Sequence, residues 1–225
     1  MSSEPNQNLW TAVDDYLTAQ LIGSDPVLDQ VQRASAEAGL PDIAVTPTQG
    51  KLLCLLARIH GAKKILEFGT LGGYSSIWLA RALPPDGRLI TLEADPKHAE
   101  VARANFASAG FSDLIDLRLG RAIDTLPRLE AEGMGSFDLI FIDADKASTP
   151  DYFIWSLKLS RPGAVIIVDN VIRSGAVIEK DSTDPSIRGI RRFNEMLASE
   201  SRVTATSLQT VGSKGYDGLT LALVI

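Results

Sequence analysis

Cysteine and histidine are scarce in this sequence of 225 residues. It contains one cysteine, Cys54, and two histidines, His60 and His98. One cysteine cannot form an intramolecular disulfide, and the apolar stretch around Cys54 predicts plain core packing for it. His60 falls at the end of a predicted helix, and His98, in the polar opening of another, has no ligand partner nearby. The scarcity excludes a disulfide-stabilised fold and leaves both histidines without an assigned role.

Long apolar runs and an excess of positive charge are also missing. No segment approaches the roughly 18 consecutive apolar residues that a membrane span needs, and residues 1–8 lack the basic start and apolar run of a signal peptide. The formal net charge is −6, from 22 basic and 28 acidic residues. An acidic chain lacks the field that concentrates polyanions. We therefore expect a cytoplasmic protein with no membrane and no nucleic acid partner.

The composition that remains is that of an ordinary globular protein, with 45% hydrophobic and 22% charged residues. The length suits a single domain, residues 1–225, in which a helical cap at 1–45 precedes a core at 46–225. From residue 64 onward, short apolar runs alternate with segments of helical spacing. The runs predict strands near 64–68, 88–93, 114–119, 137–142 and 164–168, and the segments predict helices near 74–82, 96–109, 121–131 and 150–158. This alternation predicts a parallel sheet covered by helices on both faces.

The two ends of the chain add elements to this α/β core. Helical spacing covers residues 9–22 and 25–38 before the core begins. Thr46, Pro47 and Gln49 then form a capping-box pattern that predicts a helix ending near His60.

After a predicted helix at 187–199, two strand-like runs cover 203–208 and 218–224. About nine residues join them, too few for a helical crossover, so they predict a hairpin with one strand antiparallel to the rest of the sheet.

A cofactor turn is predicted where the first strand ends. That strand reaches an acid, Glu67, and breaks into glycines beginning at Gly69. Leu71 and Tyr74 occupy positions where a dinucleotide-binding turn has glycines, so that turn is excluded. S-adenosylmethionine has no pyrophosphate to cradle, and an acid near the turn can attract its cationic end. Glu93, at the end of the second strand, can accept hydrogen bonds from both ribose hydroxyls. The alternative is that the glycines merely build a turn and Glu93 is a solvated acid.

Oxygen-bearing side chains follow the fourth and fifth strands. Asp143 and Lys146 come after one strand, and Asp169 and Asn170 end the next. If these strands are neighbours, the side chains converge at the crevice where open α/β sheets bind ligands. Carboxylate and amide oxygens favour Mg²⁺ or a similar ion. A nearby cation disfavours the ammonium form of a lysine, so Lys146 could take a proton from a substrate hydroxyl. The alternative is that these acids are simply solvated and Lys146 is a surface lysine.

These motifs resemble a known family, the metal-dependent, S-adenosylmethionine-dependent O-methyltransferases of the caffeoyl-CoA and catechol type, in their small bacterial form. The resemblance covers nearly the whole chain, and its most specific elements are 45–50, 67–75, 143–146 and 169–171. It implies a class I methyltransferase, Rossmann-like fold with a mostly parallel seven-stranded sheet, one antiparallel strand, helices on both faces and extra N-terminal helices. Carried over by position, the cofactor contacts would be Val45, Glu67, Gly69, Thr70, Ser75, Glu93 and Ala122. The metal ligands would be Asp143, Asp169 and Asn170, while Asp145 would touch cofactor or substrate and Lys146 would be the catalytic base.

The resemblance also implies the reaction. A methyl group would pass from S-adenosylmethionine to one hydroxyl of a vicinal aromatic diol of catechol, caffeoyl or flavonoid type. A divalent cation, with Mg²⁺ expected and Mn²⁺ or Ca²⁺ as alternatives, would bind both diol oxygens, and Asp143 and Lys146 would be the catalytic residues. A homodimer is expected. Plant members carry an asparagine where this chain has Ser174, and their elements for a coenzyme A ester are not identifiable, which favours a small free catechol.

Three other functions stay open at this stage. The first is a metal-independent methyltransferase for small molecules, in which the acids are merely polar. The second is an S-adenosylmethionine-binding protein without catalytic activity. A nicotinamide dehydrogenase is the weakest alternative, because Tyr152 is followed four residues later by Ser156 instead of a lysine.

Overall fold

The computed structural model describes residues 4–225. Residues 1–3, which open the segment compared above with a signal peptide, lie outside the described residues. The described strands are β1 Lys64–Phe68, β2 Arg88–Glu93, β3 Ile115–Leu119, β4 Phe137–Ile142, β5 Ser160–Asp169, β6 Val203–Gly212 and β7 Gly215–Val224. The described α-helices are α1 Glu4–Leu21, α2 Pro26–Glu37, α3 Pro47–His60, α4 Tyr74–Ala80, α5 Pro96–Ala109, α6 Ala122–Ala131, α7 Thr149–Leu159 and α8 Pro185–Ser199. Within 4–225, no helix has both the length and the apolar character that crossing a bilayer requires.

The strands form one sheet in the order β3-β2-β1-β4-β5-β7-β6. Strands β1 to β5 pair in parallel, whereas β7 runs antiparallel to both of its neighbours, β5 and β6. The predicted sheet with one reversed strand is therefore confirmed. The chain order changes direction between β1 and β4, which lie side by side, and a crevice opens there at the carboxyl ends of the strands.

Both faces of the sheet are buried, as β4 illustrates. Leu139 and Phe141 pack on one side with α3, α4 and α5, while Phe137, Ile140 and Ile142 pack on the other with α6, α7 and α8. Successive side chains of a strand point to opposite faces, so a strand covered on both sides must be apolar throughout. This explains why β4 is apolar at every position except Asp138, whose buried carboxylate accepts the backbone N–H groups of Lys63 and Lys64 and pairs with Arg161.

The hairpin at the C-terminal end is longer than predicted. Its strands continue to Gly212 and resume at Gly215, so that only two residues form the turn, and the register pairs these two glycines. The sequence pattern stops near residue 208 and resumes at 218 because the intervening residues are mostly polar. This outer arm pairs through its backbone, and most of β6 is exposed, so its residues need not be apolar.

The capping pattern at the start of α3 is fulfilled only in part. The Thr46 hydroxyl accepts the backbone N–H of Gln49 at 3.2 Å, Pro47 occupies the first helical turn, and Gly61 ends the helix in the left-handed conformation. In a full capping box the Gln49 side chain would bond the Thr46 backbone N–H. Its amide instead donates to Asp169 at the end of β5, at 2.6 Å.

Candidate active site

A cavity of about 670 Å³ opens at the carboxyl ends of β1 and β4. Its walls come from the glycine turn after β1, the loop after β4, helix α2 and the segment 40–45. Most of the predicted site residues line it: Val45, Gly69, Thr70, Ser75, Glu93, Asp143, Asp145, Lys146 and Asn170. The structure thus gathers these side chains from distant parts of the chain into the wall of one cavity.

Three predicted site residues do not line this cavity. Glu67 is fully buried beneath it, and Ala122 is half-buried at the start of α6. Asp169 lines a second cavity of about 280 Å³, which is formed by the start of α3 and the β6–β7 hairpin. Asn170 lines both cavities, so the end of β5 separates them.

The glycine turn after β1 touches the loop after β4. Gly69 has a φ of 91°, in the left-handed region that glycine favours. A Cβ atom at this position would lie 2.2 Å from the backbone oxygen of Asp143. Both the conformation and the close approach therefore require glycine, and they bring the predicted cofactor turn against the predicted metal loop.

Glu67 forms the centre of a buried polar network. Its carboxylate accepts hydrogen bonds from the hydroxyls of Ser75 at 2.6 Å, Thr91 at 2.7 Å and Ser76. Burial raises the pKa of Glu67 to about 7, although the three hydroxyls oppose this shift. Of these groups, Ser75 lines the cavity, so the acid reaches the cavity through that hydroxyl.

Glu93 supports the other side of the turn. One carboxylate oxygen accepts the backbone N–H groups of Thr70 at 3.1 Å and Leu71 at 2.8 Å, and the other accepts that of Asp95 at 2.9 Å. His98 Nδ1 lies 3.6 Å from Glu93 Oε1 and also lines the cavity. Glu93 is therefore placed to hold the turn and to face a ligand.

Asp143 and Lys146 face each other in the loop after β4. Lys146 Nζ donates to Asp143 Oδ1 at 2.7 Å, and 10% and 23% of the Lys146 and Asp143 side chains are exposed. The neighbouring Asp145 also lines the cavity, and its carboxylate accepts the Tyr152 hydroxyl and the Ser148 backbone N–H. The loop thus presents two carboxylates and one amine to the cavity, and α7 anchors one of the two acids.

Asp169 and Asn170 end β5 in a constrained geometry. Asp169 is almost completely buried, and its oxygens accept the Gln49 amide and the Asn170 backbone N–H, the latter at 2.8 Å. Burial, together with the charge of Asp143, raises the pKa of Asp169. Asn170 has a φ of 57°, a left-handed conformation that asparagine tolerates better than most residues. The backbone is bent at this residue, which is the last one in the predicted ligand set.

The chemistry of this cluster fits a hard divalent cation. Two carboxylates and an amide oxygen are the donor types that Mg²⁺ and Ca²⁺ prefer. A buried carboxylate that feels the charge of a second one is stabilised by a nearby cation. Over the described range 4–225, no three His, Cys, Asp or Glu side chains gather as a metal site, and the cluster here contains two such residues, Asp143 and Asp169, plus Asn170.

The sequence interpretation missed several residues of the site. Gln49 carried only a local capping signal, and His98 was given no role. The cavity wall also includes residues from the N-terminal helices and the segment that follows them, whose composition indicates no chemistry: Gln32, Ser35, Ala36, Leu40, Pro41, Asp42, Ile43 and Ala44. The sequence favoured N-terminal helices that help to shape the substrate pocket, but it could not name these contact residues, because helix α2 reaches the cavity only through tertiary packing.

Comparison with known proteins gives consistent matches. A family model described as O-methyltransferase matches residues 19–225. A curated relative, a catechol O-methyltransferase from Niastella koreensis, is 54% identical over 219 residues, which cover 97% of this chain and 99% of that protein.

Two solved structures are similar over almost the full length. An O-methyltransferase from Bacillus cereus in complex with SAH has a TM-score of 0.96 and 56% identity, covering 97% of this chain and 100% of that one. The O-methyltransferase TomG from Streptomyces achromogenes, involved in tomaymycin synthesis and bound to SAM, has a TM-score of 0.94 and 54% identity, covering 100% and 99%.

Proposed function

The chain belongs to the O-methyltransferase family, whose donor is S-adenosylmethionine, and on that premise we propose that its acceptor is a vicinal aromatic diol held by a divalent cation. The acceptor would be of catechol, caffeoyl or flavonoid type. The observation that supports this proposal is that Asp143, Lys146 and Asn170 line the cavity that suits the methyl donor, while the adjacent Asp169 is buried and feels the charge of Asp143. The catechol O-methyltransferase name of the Niastella relative supports the same acceptor class.

The methyl donor would occupy the 670 Å³ cavity. Glu93 would accept hydrogen bonds from the ribose hydroxyls, and Gly69, Thr70 and Ser75 would face the remainder of the donor. Val45 would close the cavity from the start of α3. The N-terminal wall from α2 would exclude water, which strengthens the electrostatic interactions inside.

Asp143, Asp169 and Asn170 would hold the cation, and Mg²⁺ is the expected ion, with Mn²⁺ or Ca²⁺ as alternatives. When bound, such an ion supplies a template for both diol oxygens and lowers the pKa of the hydroxyl that reacts. The protein contributes the fixed orientation of the carboxylates and of Asn170, whose bent backbone sets the direction of its side chain.

Lys146 would accept the proton of the reacting hydroxyl on Nζ. The phenolate oxygen then forms a bond to the methyl carbon of the donor, and the carbon–sulfur bond breaks to leave S-adenosylhomocysteine. Much of the rate gain would come from the alignment of oxygen, carbon and sulfur within one enclosed site. For this role Lys146 must first release its own ammonium proton to solvent and leave its ion pair with Asp143, and a cation bound beside Asp143 would favour both, because a nearby positive charge disfavours the ammonium form.

Methyl transfer to a panel of catechols, caffeoyl esters and flavonoids, with Mg²⁺ or with excess chelator, tests the proposal. We expect transfer with Mg²⁺, loss of transfer in chelator, and loss in Asp143→Ala with cofactor affinity largely retained in calorimetry. Full activity in excess chelator would favour a metal-independent methyltransferase. Cofactor binding without turnover on any diol would favour a protein that has lost catalysis.

We also propose a homodimer. Exposed apolar side chains occur on α1 and on the two elements that α1 contacts, α3 and the hairpin: Leu9, Val13, Tyr16, Leu52, Leu55, Ile59, Leu208, Val211 and Leu223. Monomeric proteins rarely leave a large contiguous apolar face uncovered. Light scattering should report a dimer that Ile59→Arg weakens, since 82% of Ile59 is exposed on this face. A monomer at every concentration tested would contradict this assignment.

The cytoplasm remains the proposed location, consistent with a buried, free Cys54.

A further inference from the structure

We infer that Gln49 is a positioning residue for the metal site, acting through Asp169; the inference rests on the proposed function. The Gln49 side-chain N–H donates to Asp169 Oδ2 at 2.6 Å, and the two residues lie 120 positions apart in the chain. This contact joins the first turn of α3 to the carboxyl end of β5. A residue that sequence analysis assigns to helix capping therefore bonds directly to a predicted metal ligand.

The backbone of Gln49 is held on both sides. Its own N–H donates to the Thr46 hydroxyl, which fixes the first turn of α3. The next residue, Gly50, is packed so closely on α4 that a Cβ atom there would lie 2.2 Å from Trp78 Cδ1. The amide is thus presented to Asp169 from a rigid element, as a group that orients a ligand requires.

The Asp169 carboxylate is fixed at both oxygens. Oδ2 accepts the Gln49 amide and Oδ1 accepts the Asn170 backbone N–H, and the residue is only 6% exposed. An ionised carboxylate offers about four lone-pair sites, so these two donors leave positions for a cation. Without Gln49, Oδ2 of Asp169 would have no protein donor among its described contacts, and rotation of the carboxylate would be less restricted.

The position of Gln49 suits this role better than capping or space filling. Ala44 and Val45, just before α3, line the cofactor cavity, whereas Thr48 and Gln49 line the second cavity. The start of α3 therefore forms part of both walls, and Gln49 is the side chain there whose amide contacts Asp169. A capping glutamine would accept the Thr46 backbone N–H on Oε1, whereas the bond observed at Gln49 is donated by Nε2 to Asp169.

Titration with Mn²⁺, followed by electron paramagnetic resonance, tests the inference directly. Gln49→Leu removes the amide at nearly constant volume and should weaken Mn²⁺ binding about 10- to 100-fold, the usual loss when a partner of a metal ligand is removed. Gln30→Leu, the same replacement at an exposed glutamine of α2 that accepts a hydrogen bond from Arg33 and lines neither cavity, should bind Mn²⁺ within about twofold of the wild type. Calorimetry should show S-adenosylhomocysteine affinity unchanged in both variants.

Activity gives a second readout. In Gln49→Leu the Mg²⁺ concentration for half-maximal activity should rise by a similar factor, while kcat at saturating Mg²⁺ returns close to that of the wild type. Wild-type Mn²⁺ affinity in Gln49→Leu would overturn the inference, as would an equal loss of cofactor affinity, which indicates general disruption. Failure of the metal site itself would give different results. If the wild-type protein binds no Mn²⁺, or if Asp143→Ala binds Mn²⁺ as tightly as the wild type, both the proposed metal site and the role of Gln49 are refuted.

Discussion

Replacing Glu67 with glutamine should remove a pH dependence from the stability of the cofactor-free protein. Burial raises the pKa of Glu67 from the usual 4.5 to about 7. Between these values the folded protein keeps a proton on Glu67 that the unfolded chain has lost, so stability falls as pH rises. Integrated from pH 5.5 to 8, the two pKa values give a fall of about 2 kcal/mol. Glu67→Gln cannot ionise and should not show this part of the fall.

Urea denaturation at half-unit steps from pH 5.5 to 8 measures the effect, because the free energy of unfolding is obtained at each pH from the midpoint and slope. The quantity to compare is the wild-type value minus that of Glu67→Gln, which cancels the titration of all other groups. Ser76→Ala is the matched control: it removes one hydroxyl that stabilises the ionised carboxylate, so the fall should move to higher pH. A difference that stays flat, or that rises with pH, would show that Glu67 is ionised throughout and refute the reasoning.

Two further variants examine the loop after β4 and the glycine turn that touches it. Lys146→Ala should lower kcat far more than it raises KM for the acceptor, and a pH–rate profile identical to the wild type would argue against a base at this position. Gly69→Ala places a Cβ atom 2.2 Å from the Asp143 backbone oxygen at a φ of 91° and should destabilise the protein by about 2 kcal/mol or more, measured by urea unfolding, with weaker cofactor binding. If Gly69→Ala is as stable as the wild type, the turn after β1 and the loop after β4 can separate without cost.

The parallel core could be predicted from sequence because its strands are buried on both faces. β1 and β4 appear as short apolar runs that end abruptly in polar residues, and the chain between strands has helical spacing. The outer half of the hairpin could not be predicted, because an exposed arm held by backbone pairing imposes no apolar pattern. Hydrophobic periodicity reports burial, so it is silent where a strand is exposed.

The same distinction applies to the site. The carboxyl ends of neighbouring parallel strands must meet at one edge of the sheet, so the sequence could predict that Asp143 and Asp169 approach each other. It could not predict that Glu67 is enclosed by hydroxyls, since an acid near a strand end can face either the crevice or the core. Nor could it assign Gln49, because a local capping signal and a contact to a residue 120 positions away are indistinguishable in sequence.

The two cavities suggest where acceptor specificity resides. Asp143 and Lys146 line the first cavity, Asp169 lines the second, and Asn170 lines both. An acceptor whose oxygens reach Asp143 and Asp169 must place its substituents in the part of the two cavities that the methyl donor leaves free. That space is walled by the start of α3 and by the hairpin residues Thr210 and Lys214, whereas from the loop after β5 only Arg173, beyond Asn170 itself, lines either cavity within the described range 4–225. Differences in acceptor choice among similar proteins should therefore follow the hairpin turn and the first turn of α3.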